Sequence, residues 1–170
     1  MNGIDILSDL ATRPRDLADS LRDRLTPEAL NRHPGGHDNS IAWLLWHTAR
    51  MMDMQLSALS GEETVWLAKG YDERFGLGLA PDDMGYGHTP EQARAIRVDD
   101  ADLLLEHLRD VTAALLAYLD GVDDAALSDV VDEDWDPPVT RGARIVSILD
   151  DAAVHVGQAA YVLGMDASED

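Results

Sequence analysis

Cysteine is absent from the 170 residues. No disulfide framework and no thiolate zinc cluster can form, and any reaction that needs a sulfur nucleophile has to take it from a small molecule. Positive charge is scarce: thirteen Lys and Arg, with Lys69 the sole lysine, stand against thirty-three Asp and Glu, for a net charge of −20. That balance repels a phosphate backbone and an anionic bilayer alike, so neither nucleic acid nor membrane is an expected partner. Long apolar runs are missing too. The opening residues MNGIDILSDL already carry acids, no stretch there suits a signal-peptide core, and no later window approaches ~18 uninterrupted apolar residues. The expectation is a soluble, cytoplasmic protein. Strand-type alternation, internal repeats, low-complexity tracts and interdomain linkers are likewise lacking, and the length suits one ordinary domain spanning 1–170.

What remains is helical periodicity, which marks four segments at roughly 4–25, 40–60, 101–119 and 141–163, separated by Gly- and Pro-rich punctuation. The fold class expected is all-α, a four-helix bundle with a long crossover between the second and third helices. In the first helix Ile6, Leu10, Leu17, Leu21 and Leu25 share a face, with Pro14 either kinking it or starting its longer half. Thr26 and Pro27 then suit the cap and first position of a short turn. Asn39 or Ser40 suits the cap of the second helix, and Gly61 follows its last apolar residue. The crossover from Gly61 to Asp100 is rich in Gly and aromatics, and Thr89 to Gln92 reads as a capping box opening one short helix. Connections this long usually carry function. The third helix spaces Leu104, Leu108, Val111, Leu115 and Leu119 as a bundle stripe, and Thr140 suits the cap of the fourth helix after two prolines.

Two of the stripes contain a histidine where an apolar residue belongs. Ser40, Leu44, His47, Met51, Met54 and Ala58 recur along the second helix, and Ile145, Ile148, Ala152, His155, Ala159 and Val162 along the fourth. Asp151 precedes His155 by four residues and lies only ~40° around the helix from it, whereas Asp150 is turned ~140° away. One ligand from one helix and an i, i+4 pair from a facing helix form a bundle metal site, and three protein ligands leave a coordination position open. The competing reading keeps each histidine structural, bonded to a backbone carbonyl or water, and treats the Asp-x-x-x-His pair as an ordinary helix-surface pair. Metal and structural readings stand about even on the residues alone, because three polar groups on core stripes cost ~1–3 kcal/mol each when unpaired.

The segments NSIAWLLWHTARMMD (39–53), GYDERFGL (70–77), GYGHT (85–89) and DEDWDPPVTRGARIVSILDDAAVHVGQAAYVLG (132–164) resemble the DinB/YfiT-like superfamily of metalloenzymes, in its branch related to mycothiol-dependent maleylpyruvate isomerase. The resemblance implies a four-helix bundle with an unusual connection order, often a homodimer. It also implies zinc or nickel held by a second-helix histidine and a pair spaced by four on the last helix. His47 and His155 match those positions. Asp151 stands where many members have histidine, although the maleylpyruvate isomerase branch is similar in having a carboxylate there. The harder ligand admits Mn or Fe beside Zn and Ni.

Superfamily members with assigned activities use a low-molecular-weight thiol such as mycothiol or bacillithiol, which fits a chain with no sulfur nucleophile of its own. The function expected is therefore activation of such a thiol for S-transfer or isomerisation of a small electrophile, with Gln158 either orienting a ligand or the substrate or standing as a buried polar group bonded to backbone. Metal-assisted hydrolysis and a non-catalytic, dimeric metal- or ligand-binding module are the alternatives. Among the other candidates, Trp43, Trp46, Trp66, Trp135, Tyr71 and Tyr86 either line a pocket or serve as core or dimer contacts. Arg141 and Arg144 either bind a substrate carboxylate or pair with the acidic run 132–136. His88 is a candidate to close over the site, and His33, His37 and His107 are expected at solvated or boundary positions.

Overall fold

The structure, a computed structural model, describes residues 2–165. Four long helices make the frame: α1 (Gly3–Ser20), α3 (Ile41–Ser60), α7 (Ala101–Asp120) and α8 (Arg141–Gly164). A short helix α2 (Pro27–Asn31) precedes α3, and the crossover to α7 carries three more, α4 (Val65–Ala68), α5 (Tyr71–Phe75) and α6 (Pro90–Ala95). The all-α expectation holds, and α3 packs on both α7 and α8 while α1 closes the other side against the same two helices. Among the described residues the one strand pairing is a small antiparallel pair, β1 (Val130–Asp132) with β2 (Val139–Thr140). It occupies the proline-containing segment before α8, too short to show a strand pattern in sequence.

The helix boundaries follow the caps. Ser40 accepts the Trp43 N–H to start α3, Gly61 ends it in the left-handed conformation at φ 76°, and Thr26, Thr89 and Thr140 cap α2, α6 and α8 as the sequence suggests. The C-terminal carbonyls of α8 receive cations: Arg24 donates to Leu163 O at 2.8 Å and Arg32 to Val162 O at 3.1 Å. Both guanidiniums oppose the negative end of that helix dipole.

Three expectations about the core need correction. The first helix stops at Ser20 rather than near 25, and the chain continues through a 3₁₀ turn, Arg22–Arg24. Its buried face is Leu7, Ala11, Pro14 and Ala18, continued by Leu21 and Leu25, while Ile6, Leu10 and Leu17 are exposed. Small residues let α1 approach its neighbours closely, so the leucine-rich stripe is displaced by one position. Pro14 sits inside a continuous helix. His107, expected at the boundary of α7, is fully buried against Tyr71 and Trp66, with ring centroids 4.5 and 5.3 Å away. The short helices of the crossover supply that covering layer.

The third helix is otherwise as expected, with Leu104, Leu108, Val111, Leu115 and Leu119 all buried. In α3 burial extends around the whole helix from Ile41 to Asp53. It includes two charged residues, Arg50 and Asp53, because the crossover wraps the face that α7 and α8 leave free. Among the described residues no helix is long and apolar enough to cross a membrane.

Candidate metal centre

The packing of α3 on α8 brings together the three residues singled out by their stripes. His47, Asp151 and His155 each present one ligand atom, and these atoms lie within 4.8 Å of one another. The Nε2 of His47 is 4.0 Å from Asp151 Oδ2, the Nε2 of His155 is 3.5 Å from Asp151 Oδ1, and the two imidazole centroids are 4.8 Å apart at 78°. Asp150 is exposed on the far side of α8, as the rotation of five residues requires.

The hydrogen bonds behind the rings decide what the front can do. Met84 O is an acceptor only, so His47 donates from Nδ1 to it. Gln158 Oε1 is likewise an acceptor and takes the Nδ1 proton of His155 at 2.8 Å. In the neutral rings both Nε2 lone pairs therefore face Asp151, the arrangement that metal-ligating histidines show when a second atom fixes the tautomer. Asp151 Oδ2 is buried and, among the described residues, accepts no hydrogen bond. A carboxylate oxygen buried without a partner costs ~1–3 kcal/mol or more. A cation between these three groups would use that oxygen and both lone pairs, so the donor set fits a divalent ion.

Electrostatics separate the two histidines. Burial pushes the His47 pKa down, opposed by the Met84 carbonyl, and so keeps the ring neutral and free to ligate. Asp151 raises the pKa of His155, with burial opposing and Gln158 adding to the rise. A proton on His155 and a cation at the same Nε2 therefore compete for one lone pair.

Trp43 stacks on His47 at 4.6 Å and 17° and meets the His155 ring edge-on at 6.3 Å. The crossover closes the same side. Gly85 has φ 87°, and a Cβ there would lie 2.9 Å from Trp46, 3.1 Å from the Nδ1 of His47 and 3.1 Å from Trp43. No side chain fits, in a conformation that only glycine adopts without strain. On the other side of His155 lies an open cavity of about 680 Å³, lined by Pro34, His37, Leu44, Val154, Gln158 and Tyr161 among others.

The remaining sequence candidates divide as follows. His88 sits behind Trp43 rather than over the open side: Trp43 Nε1 donates to its Nδ1 at 3.3 Å, and its Nε2 donates to Asp83 at 3.0 Å. Trp43, Trp46, Trp66 and Tyr71 are core residues, Trp135 and Tyr86 are exposed, and none of the six lines the cavity. Arg144 pairs with Asp132 at 2.7 Å, as the acidic-run alternative held. Arg141 takes Asp129, three residues before that run, at 3.6 Å and also donates to the Tyr118 hydroxyl. His37 lines the cavity from the loop before α3, and His33 bonds to its carbonyl at 3.1 Å.

Met84, Gly85, Asp83 and Arg50 escaped the sequence reading. Met84 acts through its backbone carbonyl, which leaves no trace in residue type. The signals that were available are the two glycines of GYGHT and an Arg and Asp spaced by three inside an otherwise apolar helix.

The chain matches the family model described as the DinB superfamily over residues 10–159. It is also similar to a crystallised conserved protein from Enterococcus faecalis, with 37% sequence identity, a TM-score of 0.88 and 96% of each chain covered. No curated protein matches it. With most of its length inside the family model and a fold shared almost end to end with that neighbour, the chain belongs to the DinB superfamily.

Proposed function

We propose that this protein is a divalent-metal-dependent enzyme that activates a low-molecular-weight thiol for S-transfer or isomerisation of a small electrophile, in the manner of the mycothiol-dependent branch of its superfamily. The carrying observation is the convergence of two oriented Nε2 lone pairs and a buried, unpartnered carboxylate oxygen beside an open cavity. When bound, a divalent ion supplies a Lewis acid with open positions, able to lower the pKa of a thiol from ~8.5 toward neutrality. Zinc suits the two imidazoles best, and the carboxylate admits Ni, Mn or Fe.

The chain's own residues do the rest. Met84 and Gln158 hold the tautomers of His47 and His155, and Trp43 and Gly85 exclude water from one face of the centre. On the other face the cavity mixes apolar walls, Leu44 and Val154, with His37, Gln158 and Tyr161, and it has room for a thiol and a small acceptor. Because the chain has no cysteine, the sulfur that attacks comes from the bound small molecule. Hydrolysis is less well served, since the metal-ligand group contains no carboxylate beyond Asp151 to act as general base.

The reading includes a cytoplasmic location and a second copy of the chain. Support for the dimer comes from the exposed apolar side chains Ile6, Leu10 and Leu17 on α1 and Val146 on α8, of which Leu10 and Val146 line one hollow between the two helices. Light scattering on the purified protein measures the mass directly. For the chemistry, the cobalt-substituted protein is titrated with mycothiol, bacillithiol and glutathione. A sulfur-to-cobalt charge-transfer band followed by thiol consumption with an electrophile panel is the expected result. Bound metal with no such band for any thiol would sink the thiol reading and leave the hydrolase or binding-module alternative.

A further inference from the structure

We propose that Arg50 is a positioning residue of the candidate metal centre, acting through segment 81–85 of the crossover to fix the ring of His47; the inference rests on the metal reading above. Arg50 lies on α3 three residues beyond His47 and is wholly buried. Its guanidinium lies 4.6 Å over the Trp66 ring and 3.8 Å from Asp53, which itself receives the Val65 and Trp66 N–H groups at 2.8 Å each. Its hydrogen bonds, however, go to backbone: Nε donates to Asp83 O at 3.0 Å and Nη2 to Pro81 O at 2.6 Å. A buried cation is thus spent on fastening a stretch of chain that has no regular secondary structure between Phe75 and Pro90.

What is fastened explains why. The residue after Asp83 supplies the carbonyl that takes the His47 Nδ1 proton, and the next, Gly85, packs directly on His47, Trp43 and Trp46. The Asp83 carboxylate accepts from Gly85 N at 2.9 Å and from His88 at 3.0 Å. His88 in turn takes the Trp43 indole proton at 3.3 Å, and Trp43 stacks on His47. The segment therefore reaches the ligand twice, in the ring plane through Met84 O and on the ring face through Trp43. Both routes depend on where residues 81–85 sit, and Arg50 holds the two carbonyls that set this. Its planar fork spans acceptors two residues apart, which the point charge of lysine cannot do. Loss of a group that orients a metal ligand typically weakens metal affinity ~10–100-fold.

The test combines a metal-free and a metal-dependent measurement. In the apo protein, ring ¹⁵N shifts report whether His47 keeps its proton on Nδ1. In zinc competition against a chelator, the dissociation constant is read. Arg50→Lys retains the charge beside Asp53, and Arg50→Met removes it. Both are expected to move His47 toward a mixture of tautomers, leave the His155 shifts in place, and weaken zinc by ~10–100-fold. Gly85→Ala pushes the same segment off His47 with Arg50 intact and is expected to do the same, which covers the case in which the Arg50 variants fail to fold. Folded variants with wild-type His47 shifts and zinc affinity within about twofold of wild type would overturn the inference. A wild type that binds no zinc removes the metal reading alone, since the tautomer is read without metal and still decides whether Arg50 positions His47.

Discussion

Zinc is expected to raise the thermal stability of this protein, and replacement of His47 by alanine is expected to abolish that rise. The candidate ligands stand at positions 47, 151 and 155, on two helices brought together only by the fold. The unfolded chain has no cysteine and offers only scattered histidines and carboxylates, so the ion binds the native state almost alone. At a free zinc concentration a hundredfold above its dissociation constant, native-state binding adds about 2.7 kcal/mol of stability. For a domain of about 150–250 residues each kcal/mol moves Tm by about 2–4 °C, giving a rise of about 5–11 °C. The alanine variant starts from a lower Tm, because it leaves Met84 O without its donor and a hole beside Trp43. The quantity that matters is the zinc-induced difference within each protein, measured by scanning calorimetry with elemental analysis of the same samples. Equal shifts in wild type and variant, or stoichiometric metal retained in both His47→Ala and His155→Ala, would refute the site.

Zinc affinity is expected to fall with decreasing pH from above the usual histidine range, because Asp151 raises the His155 pKa and the proton competes with the ion; an affinity flat between pH 6 and 8 would contradict this. His107 is held neutral in the fold, its pKa pushed down to about 3 mainly by burial. Below its unfolded value of ~6.5 the unfolded chain binds the extra proton, so stability is full above that pH and declines as pH falls toward about 3, by up to ~1.4 kcal/mol per unit. Urea unfolding across this window is expected to show a shallower slope in His107→Phe. Asp53→Ala strips two backbone N–H groups of their acceptor and leaves Arg50 without its carboxylate, a loss of about 3–5 kcal/mol by chemical unfolding. Asn31→Ala is expected to cost about 1–3 kcal/mol in the same assay, since the buried amide bonds Pro27 O, Val98 O and Val98 N together.

Sequence by itself determined the local elements and the candidate ligands. Capping residues such as Ser40, Thr89 and Thr140 act on the backbone within three residues, so their effect is written in the chain order. The i, i+4 geometry of Asp151 and His155 is likewise local, and a histidine on each of two core stripes was enough to single out the trio that the fold brings within 4.8 Å. Tertiary structure decided everything that depends on what a residue meets from elsewhere. Ala11, Pro14 and Ala18 form the buried face of α1 because α7 and α8 come close there, although leucines one position away have the stronger apolar signal. His107 is interior only because α4 and α5 fold over it. The His47 ring meets a backbone carbonyl at position 84, in a segment whose carbonyls at positions 81 and 83 accept hydrogen bonds from Arg50. A carbonyl is common to every residue, so no reading of side chains could find it. The same reason applies to the cavity beside His155, whose walls come from the loop before α3 and the end of α8 and exist only once those segments are side by side.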